Sequence, residues 1–453
     1  MSENNPYSSP SSTESSDNAQ DVTTPRLGEQ QVIWTIWMTY GAFYFCRTNI
    51  SAALPGIEAE FGFTKLQMGI VLMSLKIAYA AGQFINGQLS ERLRPRVMLA
   101  VGMLASAALN VIFGFGTAVY FFLFVWAMNG FMQSLGWTPC VRVIGNWVPV
   151  LRRGKAIGIV GTGYQLTAAL TFVVVAFSVG KFGWRGAMFV PPVILTAAAI
   201  AMLVLLRETP EDTTSTSGKS AQQRKDATGS FLENLTITLA NPALWLMGLA
   251  LGMLNACRYG FLDWGITHLY EIEKDRLDAA VTTGLYASQQ VLNKAVLKSA
   301  VKYAILPVGG IAGAFLSGWV TDRFFAGRRA PVICGLLVAL GCLTMVYDSV
   351  ARASFAGTVV LLACIGFTIY GPQVLLVGTA PADLARRGTS AAAAGFVNSM
   401  GYIGAAVLGD LLTGYLVKRY GWETAIYAWA GWAFLAAILV AFLWNRRGRG
   451  GRS

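Results

Sequence analysis

Apolar runs of about twenty residues or more recur along this chain with only short polar breaks, and that rhythm limits the fold more than any other feature. They fall near 31–55, 66–90, 97–117, 120–146, 155–179, 185–206, 242–270, 300–321, 330–349, 355–380, 389–416 and 422–445. Each is long enough to cross roughly 30 Å of hydrocarbon as a helix. The chain therefore reads as an all-α membrane protein of twelve transmembrane helices. Composition agrees. Hydrophobic residues make up 55% and charged residues only 13%, whereas a soluble domain carries about a quarter charged residues. Mean hydropathy is +0.52.

The net charge of +12 does not point to nucleic acid, because the basic residues sit at the ends of apolar runs. More of them flank one side (Arg92, Arg94, Arg96, Arg152, Arg153, Arg328, Arg329, Arg386, Arg387 and the basic C-terminal end) than the other. By the positive-inside rule both termini are expected in the cytoplasm of a multi-pass inner-membrane protein. The six cysteines are scattered within or beside apolar segments without a CxxC spacing, and read as packing residues. One histidine, His268, leaves no basis for a histidine metal site, so no metal or cofactor is expected. No nucleophile–base pair suggests an enzyme.

Residues 1–25 are rich in Ser, Thr, Asn and Asp and are expected to be a disordered tail without the features of a signal peptide. A polar linker, 207–241, divides a six-helix bundle at 26–206 from a second at 242–445, and 446–453 is a basic tail. The two halves repeat a motif. Gly87-Gln-Leu-Ser-Glu91-Arg92 follows the second run and Gly318-Trp-Val-Thr-Asp322-Arg323 follows the eighth, each with further basic residues behind it. A small residue for close helix approach and a carboxylate–arginine latch are the physical reading, with Glu91, Arg92, Asp322 and Arg323 as gating residues.

Two arginines stand inside apolar runs, Arg47 in the first helix and Arg258 in the seventh. An intramembrane arginine costs roughly 2.5–3.5 kcal/mol on insertion scales and marks a functional site unless it is paired. The two positions are equivalent in the two halves. A guanidinium presents a planar fork of donors to carboxylate or phosphate oxygens, and two of them suit a dianion such as a phosphate monoester. The competing reading is a structural arginine paired to a carboxylate, for which Asp263 and Asp410 are the candidates. Tyr40, Tyr44 and Arg47 follow i, i+4, i+7 and share one helical face.

Further motifs carry a resemblance: Tyr40-x-x-x-Tyr44-x-x-Arg47-x-Asn49, Gly136-Trp137-Thr-Pro139-Cys140-x-Arg142, Arg258-Tyr259-Gly-x-x-Asp263-Trp264, Tyr370-Gly371-Pro372-Gln373 and Gly395-Phe396-Val-Asn398-Ser-Met-Gly401-Tyr402-Ile-Gly404. With the repeated loop motif, these resemble the organophosphate:inorganic phosphate antiporters of the major facilitator superfamily over about 30–450. The resemblance implies two pseudo-symmetric six-helix bundles with a site between them near the midplane. It also implies alternating-access exchange of a small organophosphate for inorganic phosphate, with Arg47 and Arg258 clamping the phosphoryl group. Tyr40, Tyr44, Tyr79, Trp137, Tyr259, Asn398 and Tyr402 are expected to line that cavity; for the aromatics, plain helix packing is the competing reading.

The chain departs from the glycerol-3-phosphate transporters of that family at three places. Gln83 stands where they have a lysine, although Lys76 lies two turns earlier. Tyr164, followed by Gln165, stands where they have a histidine, and no glutamate lies near Pro307-Val-Gly309-Gly310. A longer loop before residue 300 carries Lys294, Lys298 and Lys302 on one basic face, read as a headgroup-facing edge or as an entry funnel for anions. The expected partners are the phosphorylated solute, inorganic phosphate and lipid, and the protein is expected to act as a monomer. Two other functions remain open: a sensor of external hexose phosphate that signals to a membrane kinase, and a proton-coupled symporter with Asp263 and Asp410 as relays.

Overall fold

A computed structural model describes residues 27–90, 93–210, 238–280, 289–325, 328–379 and 390–444, and these are almost wholly helical. The expected tails, most of the linker, and the gating residues Glu91 and Arg92 lie outside them, as does the side chain of Asp322.

In chain order the helices are α1 (Leu27–Ala42, Phe43–Cys46, Ile50–Phe61), α2 (Lys65–Leu89), α3 (Pro95–Gly114), α4 (Val119–Gln133, Trp137–Trp147), α5 (Val150–Phe182) and α6 (Gly186–Leu205). The second half holds α7 (Pro242–Tyr259, Gly260–Trp264, Gly265–Ala280), α8 (Gln289–Tyr303, Ile305–Phe324), α9 (Arg329–Met345, Tyr347–Ala353), α10 (Phe355–Val374, Leu375–Thr379), α11 (Ser390–Gly404, Ala405–Leu411, Leu412–Tyr420) and α12 (Trp422–Ala441). Among the described residues eight helices are long and apolar enough to cross a bilayer, or nine if the bent α9 counts as one span. The three outside that set are α1, α2 and α7. They carry Arg47, Lys76, Arg258 and Asp263 within their apolar runs.

Local chemistry sets the ends. Pro95 and Pro242 open α3 and α7 at a position where a missing N–H costs nothing. Asn241 also caps α7 by accepting from Ala243 N at 3.1 Å. Gly62, with φ of 67°, closes α1 in the left-handed conformation.

The packing repeats between halves. In the first, α1 packs on α5, α2 on α4 and α3 on α6; in the second, α7 packs on α11, α8 on α10 and α9 on α12. The seam obeys the same symmetry, with α5 against α8 and α2 against α11. Large apolar side chains such as Phe115, Phe124, Val204, Phe315, Val360 and Phe442 face outward, while polar groups such as Asn49, Asn110, Asn129 and Gln133 are buried. That inversion suits a hydrocarbon solvent.

One sequence expectation changes. The segment before residue 300 is not a loop but the helical start of α8, packed on α5. Its apolar positions Ala295, Val296 and Ala300 are buried against the bundle. Two of its three lysines are not a free basic face, while Lys294 is exposed. Glu273 of α7 accepts from Lys298 Nζ and Lys302 Nζ, each at 2.8 Å, and Lys302 is buried. Burial opposes ionisation of Glu273, but these two ammonium groups outweigh it and hold the carboxyl below its usual range.

Candidate substrate site

The backbone is irregular at both arginines. A 3-10 turn, Phe43–Cys46, immediately precedes Arg47, and a π-helical stretch, Gly260–Trp264, follows Arg258 and Tyr259. Such breaks free carbonyls from the helical ladder and cluster at functional sites. Buried amides satisfy the freed groups in α1. Cys46 O accepts from Asn129 Nδ2 at 2.9 Å and from Gln133 Nε2 at 3.0 Å, while Phe43 O accepts from the same Gln133 nitrogen at 3.1 Å. Asn49, part of the same motif, donates to Asn110 Oδ1 and to Ala187 O, both at 2.8 Å.

Gln133 also fixes the guanidinium. Its Oε1 accepts from Arg47 Nε at 2.7 Å. The rings of Tyr44 and Tyr79 flank the same group at 4.7 and 4.6 Å. Both terminal nitrogens of Arg47 are buried without a hydrogen-bond partner. Arg258, likewise buried, lies over Tyr259 at 4.7 Å and Tyr370 at 5.0 Å, and its Nε has no partner. No salt bridge engages either arginine among the described residues, so the carboxylate-paired reading does not describe them.

Two aromatic paths join the arginines. One runs from Tyr44 to Tyr164 (5.1 Å between centroids, stacked) and on to Tyr370 (6.5 Å). The other runs from Tyr79 to Tyr402 (4.7 Å) and on to Tyr259 (6.3 Å). Each crosses the seam, Tyr164 and Tyr79 belonging to the first half and Tyr370, Tyr402 and Tyr259 to the second. Tyr40 packs on Trp137 at 4.8 Å and on Tyr44 at 6.2 Å, extending the wall behind Arg47. Gln165 is buried with its Oε1 unpartnered. Gln83 Nε2 donates to Ser134 O at 3.3 Å, which holds it against α4, and Asn398 is half-buried on α11.

Lys76 stands apart from the guanidiniums in its bonding. It makes ion pairs with Asp263 and Asp410, the two carboxylates weighed above as partners for an arginine. Arg142 Nη1 donates to the carbonyls of Ser90 and Leu93, closing the end of α2 beside the loop motif. Arg323 of the second loop motif is exposed.

Sequence reading missed Gln133 as the group that orients Arg47, and placed Tyr370 in a motif without a site role. Two amides one turn apart, Asn129 and Gln133, in the otherwise apolar stretch Val119–Gln133 were the available signal for the first. No group of three or more His, Cys, Asp and Glu among the described residues is arranged to hold a metal.

Two packed helical halves with paired cationic side chains at their seam define a membrane transporter. The chain belongs to the Major Facilitator Superfamily, whose family model matches residues 36–409; it is a multi-pass membrane protein and not an enzyme. It is 27% identical over 456 residues to the probable hexose phosphate transport protein of Chlamydia trachomatis, covering 94% of each chain. It is 29% identical to the glycerol-3-phosphate transporter of Bacillus subtilis, covering 95% of each chain. It is also 30% identical to the membrane sensor protein UhpC of Salmonella typhimurium, covering 92% of this chain and 89% of that one. Among solved structures, a bacterial homologue of the lysosomal transporter Spinster, inward-facing and occupied, shares the fold at a TM-score of 0.71 and 15% identity, covering 95% of this chain and 99% of that one.

Proposed function

We propose that the protein exchanges a small organophosphate, a sugar phosphate or glycerol phosphate, for inorganic phosphate across the inner membrane. One observation carries this reading: two buried guanidiniums, one from each half, with unsatisfied donors and no carboxylate partner. A phosphoryl dianion satisfies both forks and neutralises both charges. Relatives named as hexose phosphate and glycerol-3-phosphate transporters support the same substrate class. Tyr40, Tyr44, Tyr79, Trp137, Tyr164, Gln165, Tyr259, Asn398 and Tyr402 form the walls against which the organic part rests, and Gln83 adds a polar edge.

At the end of the bundle where α1 runs into α2, the remote end, the halves meet through Lys65 of α2, which pairs with Glu271 of α7 at 2.6 Å, and through Phe172 of α5, which packs on Tyr303 of α8 at 5.8 Å. Read with both termini in the cytoplasm, that end faces outward and is closed. Occupancy of the arginines lets the halves rock, and the charged empty form rocks poorly, which makes exchange the favoured mode.

Uptake of labelled phosphate into vesicles preloaded with phosphate or a sugar phosphate tests the reading. Uptake is expected only in preloaded vesicles, and Arg47→Lys and Arg258→Lys each abolish it. Intact exchange in both variants overturns the clamp. A second reading, a sensor of external hexose phosphate acting on a membrane kinase, is favoured by the 30% identity to UhpC. Robust exchange in liposomes of the pure protein excludes a purely sensory role.

A further inference from the structure

Lys76 reaches across the seam from the first half and meets two aspartates of the second. Its Nζ is 2.6 Å from Asp263 Oδ2 and 2.5 Å from Asp410 Oδ2, which places those two oxygens no more than 5.1 Å apart. The same ammonium lies 4.4 Å from the ring centroid of Tyr259. All three charged groups are buried, Asp410 completely. One ammonium against two carboxylates leaves this cluster with one negative charge in excess. Asp410 Oδ1, moreover, is buried with no hydrogen-bond partner. A buried anionic oxygen without a partner is unfavourable, so the Lys76 ammonium is the compensation on which this carboxylate depends in the closed form.

The helices packed most closely on Ala405–Leu411, which carries Asp410, are α2 and α7. From α2 the facing charge is Lys76; from α7 the facing groups are Asp263 and Tyr259. Tyr303 of α8 lies within electrostatic range of Asp263. Of the other described charges on α2 and α7, Lys65 pairs with Glu58 and Glu271, Arg258 lies on the rings of Tyr259 and Tyr370, Glu273 pairs with Arg276, Lys298 and Lys302, and Lys274 and Asp275 are exposed near the far end of α7. No other cation among the described residues pairs with either aspartate.

We propose that Asp263 and Asp410 form a proton-binding site for which Lys76 and a proton are alternative occupants. Both aspartates belong to one half and Lys76 to the other. Closure of the remote end inserts the ammonium between them. Parting of the halves withdraws it and leaves two neighbouring carboxylates in apolar surroundings. Two like charges so placed do not both remain ionised. One proton therefore adds to a carboxylate oxygen as the ammonium leaves, and dissociates as it returns. The site rests on the rocking of the halves in the reading above but not on the arginine clamp.

The test measures the open fraction of the remote end against pH, by distances between spin labels on the start of α2 and the end of α7, in nanodiscs with inorganic phosphate. A Glu58→Gln background removes the nearest independent carboxyl of the remote gate. In that background the open-to-closed ratio is expected to rise as pH falls, by up to about tenfold per pH unit, the limit for one linked proton. Asp410→Asn leaves Lys76 a single partner and flattens the profile; Asp263→Asn does the same and guards against one variant failing to fold. Calorimetric binding of inorganic phosphate runs alongside. A profile in both Asn variants that matches the background, while phosphate still binds, overturns the proton site and leaves the clamp standing. Undiminished phosphate binding by Arg47→Lys overturns the clamp and leaves the proton site standing.

Discussion

Gln133 holds Arg47 by its Nε alone, across 2.7 Å, while donating its own amide to the carbonyls of Phe43 and Cys46. The side chain thus couples the break in α1 to the direction of the guanidinium, and leaves both terminal nitrogens unspent. Replacing Gln133 with Leu is expected to weaken inorganic phosphate binding about tenfold, or about 1.4 kcal/mol. Gln133→Glu is expected to weaken it further, because a carboxylate there competes with the anion for the arginine. Isothermal titration measures both, and unchanged affinity in the Leu variant removes Gln133 from the site.

The remote gate has its own acid–base behaviour. Burial, only partly offset by Lys65, pushes the Glu58 carboxyl up to about 6. An exposed carboxyl titrates near 4.5, so the closed form binds this proton more readily than an opened one. The favourable contribution to closure is full below about pH 4.5 and is lost as pH rises through about 6, a difference of no more than about 2 kcal/mol. Alkylation of a cysteine placed at the start of α2 should speed up across that window in the wild type. The added component should vanish in Glu58→Gln.

Glu271 ties the halves at the same end, with Lys65 at 2.6 Å and Trp422 Nε1 donating at 2.5 Å. Both charged groups are partly exposed, so the pair is worth about 1 kcal/mol or less. Glu271→Gln should therefore raise the open population several-fold without abolishing closure, as read by spin-label distances. A complete loss of the closed form would show that the pair is the main fastener and not one contact among several.

Gly404 of α11 lies directly on the backbone of Gly252 of α7, leaving no room for a Cβ between them. Gly404→Leu must push the helices apart and is expected to cost about 1–3 kcal/mol. Thermal unfolding in detergent should show the loss, whereas Gly431→Leu, with open space around it, should not.

The bundle was legible in the sequence because hydrocarbon imposes a length and a polarity that most of the runs obey alone. Arg47 and Arg258 were legible for the same reason, since a lone charge in an apolar run needs no partner to be seen. What the sequence did not reveal is pairing across long separations. Asp263 and Asp410 were recognisable as buried acids, yet nothing in either segment says that Lys76, 187 and 334 residues away, lies between them. The start of α8 was misread for a related reason. Lys298 and Lys302 looked like a loop's solvated edge until Glu273, 25 and 29 residues earlier, was found facing them.

The aromatic paths between the arginines have a consequence for how a solute is measured. Tyr164–Tyr370 and Tyr79–Tyr402 are each made of one ring from either half. Neither half alone therefore owns the whole of the lining; expressed by itself, each would present one arginine and one side of the aromatic wall. On the proposed reading, discrimination among solutes is a matter of spacing, with the organic group acting as a shim whose thickness sets how far the paired rings stand apart.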